Sequence, residues 1–143
     1  MDRFLIREMK LADYSAVINF WRQTPGLALS DADTEENIGV FLTRNPGLSF
    51  VAEFADQLLG TILCGHDGRR GFIYHLAVHR DHRRKGIGRH LAERCVSKLK
   101  DVGISKCHLF VLANNDQGMI FWNKIGFQRR EDIQIYSHNI SSE

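Results

Sequence analysis

Phe72-Ile73-Tyr74-His75-Leu76-Ala77-Val78, then His79-Arg80-Asp81-His82-Arg83-Arg84-Lys85, then Gly86-Ile87-Gly88 is the stretch from which the fold is read. The first seven residues are an apolar run of strand length, bounded by glycine on one side and by charge on the other. After Gly86 the period turns helical: Ile87, Leu91, Cys95 and Leu99 recur every fourth residue, with Ala92 and Val96 beside them, and Gly103 stops the run. The order is therefore buried strand, basic loop, Gly-x-Gly, amphipathic helix.

The charge in that loop is on the wrong side for a helix start. A helix N-terminus carries roughly half a positive charge and normally collects acidic residues. This one collects Arg83, Arg84, Lys85 and Arg89. Like charge at the positive pole is unfavourable unless an anion lies against it. Glycines without a Cβ let main-chain N–H groups close on such an anion. The stretch reads as a cradle for a phosphate or pyrophosphate. A solvated basic loop leading into an ordinary surface helix is the alternative on charge alone.

The bulk composition narrows the rest. A chain of 143 residues is predicted to form one domain, 1–143, with a core of ordinary size. A net charge of +2, with the basic residues gathered in one loop, argues against a nucleic-acid partner. Cys64, Cys95 and Cys107 are far apart and lack a CxxC spacing, which predicts buried free thiols, no metal site and a reducing, cytoplasmic setting. No apolar run approaches the roughly 20 residues that cross a bilayer, so no membrane partner is expected.

Along the chain, residues 3–8 read as a strand and 11–22 as a helix ending before Thr24-Pro25-Gly26. Ser30 to Asp33 offers N-caps for a second helix over 34–43, and Asn45-Pro46-Gly47 breaks it. Residues 49–55 and 58–65 read as a hairpin with its turn at Asp56-Gln57. His66-Asp67-Gly68-Arg69-Arg70-Gly71 turns the chain into the central strand. Beyond the central helix come a strand over 104–112, a helix capped near Asn115, and strand-like segments at 127–130 and 133–140. The order β-α-α-β-β-β-α-β-α-β predicts an α/β fold: a mixed, mostly antiparallel central sheet with helices on both faces.

Two familiar anion motifs do not fit. Lys85 precedes Gly86 with no hydroxyl residue after it, which excludes a Walker A loop, and Leu91 stands where a dinucleotide fingerprint would have its third glycine. Arg83-Arg84-Lys85-Gly86-Ile87-Gly88 instead resembles the Arg/Gln-x-x-Gly-x-Gly/Ala pyrophosphate motif of the GNAT-type N-acetyltransferases. His75-Leu76-Ala77-Val78 looks like that family's splayed fourth strand. Asn115 with Phe121-Trp122-Asn123-Lys124-Ile125-Gly126-Phe127 is similar to its Asn…Phe-Tyr-x-x-x-Gly-Phe segment. The likeness runs from about Phe4 to Ile140.

That resemblance implies a transfer of an acetyl group from acetyl-CoA to an amine by direct attack, with a monomer or homodimer as the working form. It implies that the pyrophosphate lies on the main chain and cations of Arg83, Arg84, Lys85, Gly86, Ile87, Gly88 and Arg89. Leu76, Ala77 and Val78 would hold the pantetheine arm and the thioester carbonyl, with Asn115 and Trp122 beside the arm. Trp122 stands where the family usually has its tyrosine acid, and an indole N–H does not titrate usefully. This departure motivates an alternative, a non-catalytic acyl-CoA-binding sensor or interaction module. Tyr136 and Tyr74 are the substitutes for the acid. His75 and Glu53 compete as the base, the imidazole because it titrates near neutrality. Cys64 as an acyl carrier has no neighbouring base to support it. The acceptor would be bound by residues 21–33 and the turn at 66–71, with Trp21, Asp67, Arg69 and Arg70 as its contacts.

Overall fold

A computed structural model describes residues 3–141 and gathers the chain into two compact units, one up to Leu112 and one from Ala113 onward. In the first unit, β1 (Leu5–Glu8), β2 (Phe50–Phe54), β3 (Gln57–His66), β4 (Gly71–Val78) and β5 (Cys107–Leu109) form one sheet in chain order. The first four strands pair antiparallel and β4 pairs β5 parallel, as a mixed, mostly antiparallel sheet requires. The helices of this unit are α1 (Tyr14–Arg22), α2 (Glu35–Arg44) and α3 (Ile87–Asp101). The second unit contains α4 (Asp116–Lys124).

Alternation along β3 shows that α1 and α3 lie on opposite faces. Thr61 accepts a hydrogen bond from Trp21 of α1, whereas a Cβ added at the adjacent Gly60 would meet Ile87 and Leu91 of α3 at 3.0 and 3.1 Å. Successive strand residues point to opposite faces, so each helix has a face of its own. Gly60 is what lets α3 seat, because the same Cβ would also come within 3.0 Å of the Ala77 carbonyl. The α3 stripe of Ile87, Leu91, Ala92, Cys95 and Leu99 is buried against the sheet. On the other face Val17, Ile18 and Trp21 of α1 and Ile38 of α2 pack with Val51, Leu63 and Ala77.

Three expectations need correction. The β2–β3 turn is Ala55-Asp56, one residue earlier than expected, both with positive φ (50° and 66°) as a two-residue hairpin of this hand demands. β5 keeps only Cys107–Leu109 of the expected 104–112, because its ladder with β4 ends at Ile73↔Leu109. The segments 127–130 and 133–140 form no strand, so the element order ends with α4. Their alternating isoleucines have strand propensity, but a strand exists only where a neighbour pairs with it, and Ile133, Ile135 and Ile140 are exposed.

Cys64 and Cys95 are buried thiols and Cys107 is half-buried. A hydrogen bond with Cys64, together with burial, pushes the Cys95 thiol far above its ordinary range, and burial pushes Cys107 up to about 11. Cys64 has no exposed surface from which to carry an acyl group. Among the described residues no helix is long and apolar enough to cross a membrane, and no group of three His, Cys, Asp or Glu is placed to hold a metal ion.

Candidate active site

The site begins as an irregularity in β4. Thr61 pairs with Ala77 and Leu63 with Tyr74, so Ile62 alone stands opposite both His75 and Leu76. This is a bulge, and its extra residue, His75, takes φ +52°. The left-handed region costs a non-glycine residue about 1–2 kcal/mol. The structural return is specific. In a regular strand Tyr74 and His75 would point to opposite faces. Here Tyr74 packs on Phe41 of α2, and His75 meets Trp21 of α1 edge-on at 4.7 Å, so both rings lie on the α1–α2 face.

A buried hydroxyl anchors the bulge. The Trp21 indole N–H donates to Thr61 Oγ1 at 2.7 Å, and the Thr61 hydroxyl donates to the His75 carbonyl at 3.0 Å. Thr61→Val keeps the shape and removes both bonds, leaving the indole N–H unpaired in a dry site. The expected loss is about 1–3 kcal/mol, read as a lower urea midpoint with an unchanged slope.

The His75 imidazole pairs with Asp33. Their Nε2···Oδ1 distance is 2.8 Å, and the side chains are only 16% and 8% exposed. Asp33 ends a single helical turn, Asp31–Asp33, in which its Oδ2 accepts the Ser30 N–H at 3.0 Å. The Asp33 carbonyl accepts the Tyr14 hydroxyl at 2.6 Å. Both residues line a cavity of about 720 Å³ whose wall also includes Asp31, Phe41, Arg44 and Tyr74. His66, Asp67 and Phe72 complete it on the side of the β3–β4 turn. Three carboxylates face one guanidinium there, which favours a cationic occupant.

On its other edge β4 is open. The β4–β5 ladder covers Gly71 to Ile73, so Tyr74 to Val78 has a strand neighbour on one side only. Beyond it the chain runs through the basic loop to α3. Arg84 and Gly86 have positive φ (66° and 85°) with Lys85 between them, the alternating hand that turns successive N–H groups toward one side. Gly86 is the N-cap of α3 and supplies no side-chain cap, and the first turn holds no acidic residue. The first N–H groups of a helix have no intrahelical acceptor, while Arg83, Arg84, Lys85 and Arg89 are exposed around them. This donor set and its charge fit a diphosphate.

Several expected site residues have other employment. Glu53 is paired with Arg7 at 2.9 Å and lines a separate cavity with Leu5 and Phe54, so it is not placed to serve as the base. Trp21 has 0% exposure and stands behind His75, out of reach of an acceptor. Asp67 spends Oδ1 on the N–H groups of Arg69 and Arg70, which hold its carboxyl below the ordinary range. Arg69 and Arg70 belong to that turn and do not line the cavity; the cation that does is Arg44. Burial pushes the Tyr74 hydroxyl up, making it a poorer proton donor.

In the second unit, Asn115 caps α4 by accepting the Gly118 N–H at 3.0 Å. Trp122 packs edge-on between Phe121 and Phe127, at 5.1 and 4.9 Å. Tyr136 is 92% exposed on a segment without helix or strand, a setting that gives a proton donor no fixed position. Phe41 and Arg44 were not foreseen, whereas Asp31 and Asp33 fall in the expected acceptor segment 21–33, where neither was singled out beyond its place among the cap candidates.

A sheet that parts between two parallel strands beside an uncapped, cation-rimmed helix start fits a long diphosphate-bearing cosubstrate. The sequence pattern of the acetyltransferase (GNAT) family matches residues 14–127, and the chain belongs to that family. An acetyltransferase of Sodalis glossinidius is 34% identical over 130 residues, 91% of each chain. One from Pectobacterium atrosepticum is 35% identical, over 91% of this chain and 92% of that one. Among solved structures, the PaiA N-acetyltransferase of Thermoplasma acidophilum in complex with coenzyme A superposes with a TM-score of 0.77 at 21% identity, over 89% and 91% of the two chains. An acetyltransferase with acetyl-CoA from Clostridium acetobutylicum gives 0.76 at 18% identity, over 94% and 96%. The protein is an acetyl-CoA-dependent acetyltransferase, and acetyl-CoA is its cosubstrate.

Proposed function

We propose that this acetyltransferase acetylates a primary amine by direct attack, with His75 as the base. The observation behind this reading is the bulge that turns His75 into the cavity on the α1–α2 face of the sheet. Bound acetyl-CoA would supply an activated acyl carbon and a thiol of pKa about 8.5, able to leave as thiolate near neutral pH. The pyrophosphate falls to the N–H groups of Gly86 to Arg89 and to the cations Arg83, Arg84, Lys85 and Arg89. The main chain of Leu76, Ala77 and Val78 has no strand neighbour on one edge, although the Val78 carbonyl accepts Arg83 Nε at 3.3 Å, and N–H groups there would hold the pantetheine arm and donate to the carbonyl oxygen as charge builds.

The acceptor occupies the cavity. It arrives as an ammonium, drawn by Asp31, Asp33 and Asp67, and the aromatic faces of Phe41, Phe72 and Tyr74 suit both a cation and the apolar body attached to it. His75 removes the proton, because only the neutral amine has a lone pair for attack. A thermal-shift titration with acetyl-CoA, followed by thiol-release assays on a panel of aliphatic, aromatic and peptide amines, tests the reading. Acetyl-CoA stabilisation with turnover on an apolar primary amine is expected. Tight acetyl-CoA binding with no turnover on any amine would replace it with a non-catalytic acyl-CoA-binding module.

A further inference from the structure

We propose that Asp33 is a positioning residue: its carboxylate holds the Nε2 proton of His75 and so fixes the ring in the tautomer whose Nδ1 lone pair is open to the acceptor cavity. The inference rests on the reading of His75 as the base.

An ionised carboxylate only accepts hydrogen bonds. At 2.8 Å from Asp33 Oδ1, His75 Nε2 must therefore carry the proton, and the single lone pair of the neutral ring lies on Nδ1. No hydrogen bond to Nδ1 is formed among the described residues. No buried side-chain nitrogen or oxygen there lacks a partner, so Nδ1 retains contact with solvent, on a ring that lines the cavity. The edge of Trp21 stops the ring from swinging away. One nitrogen is tied, the other is open, and the plane is clamped.

A cross-brace is the competing explanation, and the structure already has its braces. The Asp33 main chain is held by Tyr14, its Oδ2 by Ser30, and the bulge by Thr61 and Trp21. Oδ1 is left for the ring alone. A brace also needs no left-handed residue in mid-strand, and the regular alternation that would have spared it would have turned His75 to the other face. The carboxylate has a second effect: it stabilises the imidazolium formed when the acceptor's ammonium passes its proton to Nδ1. The ring later returns that proton to solvent. The charged and titratable groups that share the cavity are Asp31 from the segment before α2, Arg44 from α2, and His66 and Asp67 from the β3–β4 turn.

The test is Asp33→Asn. The Ser30 N–H still requires an oxygen, which leaves the amide NH₂ facing His75 Nε2. Nε2 must then accept, the proton moves to Nδ1, and the lone pair leaves the cavity. Nitrogen NMR of histidine-labelled protein is expected to show the Nε2–H tautomer of His75 in the wild type and the Nδ1–H tautomer in the variant. The kcat of the variant is expected to fall about 100-fold or more, with acetyl-CoA affinity within twofold. Asp33→Glu, which keeps the charge, should recover part of the rate.

An Nδ1–H tautomer in the wild type, or an unchanged tautomer in Asp33→Asn, would overturn the proposal. Should Asp33→Asn not fold, the wild-type spectrum decides alone. Failure of the base itself is read separately: a His75→Gln variant with full turnover removes the base whatever tautomer the spectra report.

Discussion

Exchanging His75 for glutamine is expected to lower kcat/KM for the amine about 100- to 1,000-fold at neutral pH, with acetyl-CoA affinity within twofold and little change in melting temperature. Glutamine suits the test better than alanine. Its amide N–H can donate to Asp33, so no buried carboxylate is left unpaired, whereas alanine would strand it at a cost of about 3–5 kcal/mol. What glutamine cannot do is take a proton. An amine of pKa about 10.4 is neutral to only about one part in a thousand at pH 7.4, and without a base the enzyme must wait for that fraction. The deficit should therefore shrink steadily as pH rises toward 10. A purely structural histidine would produce a deficit that does not depend on pH. Full turnover in His75→Gln at pH 7 would remove the residue from the chemistry.

The parts of this site that could be read in the sequence are those carried by local pattern. The strand at Phe72–Val78, the glycines after a basic loop and the four-residue period of α3 are each visible within a few residues, and the structure reproduces them with α3 beginning at Ile87. What could not be read depends on contacts between distant segments. Glu53, a lone charge in an apolar strand, looked like a base, but its neutralising partner Arg7 is 46 residues earlier and meets it only through the β1–β2 register. Asp33 looked like one helix cap among several, and its partner His75 is 42 residues later. The bulge is hidden for a related reason. No glycine marks the left-handed position, and the restraint on it comes from Thr61 and Trp21. Trp21 was named as an acceptor contact from its place in the first connection, but burial puts it behind the imidazole.

Gly86→Glu is expected to weaken acetyl-CoA binding at least 100-fold by calorimetry while the fold survives. The position has φ +85° and ψ 5°, so a side chain there is strained by roughly 1 kcal/mol. The new Cβ would meet the His90 ring at 3.3 Å, a close contact with an exposed side chain rather than with backbone or core. In partial return, a carboxylate at the N-terminus of α3 interacts favourably with the helix dipole and with Arg83, Arg84 and Arg89. That same gain excludes the coenzyme, since the protein's own anion then occupies the N–H groups on which a diphosphate would rest. Gly86→Ala separates the two effects: it carries the strain without the charge, and its affinity should fall by no more than about tenfold, the equivalent of about 1.4 kcal/mol. If Gly86→Glu bound acetyl-CoA as tightly as the wild type, the basic loop and helix start would not be the anion site.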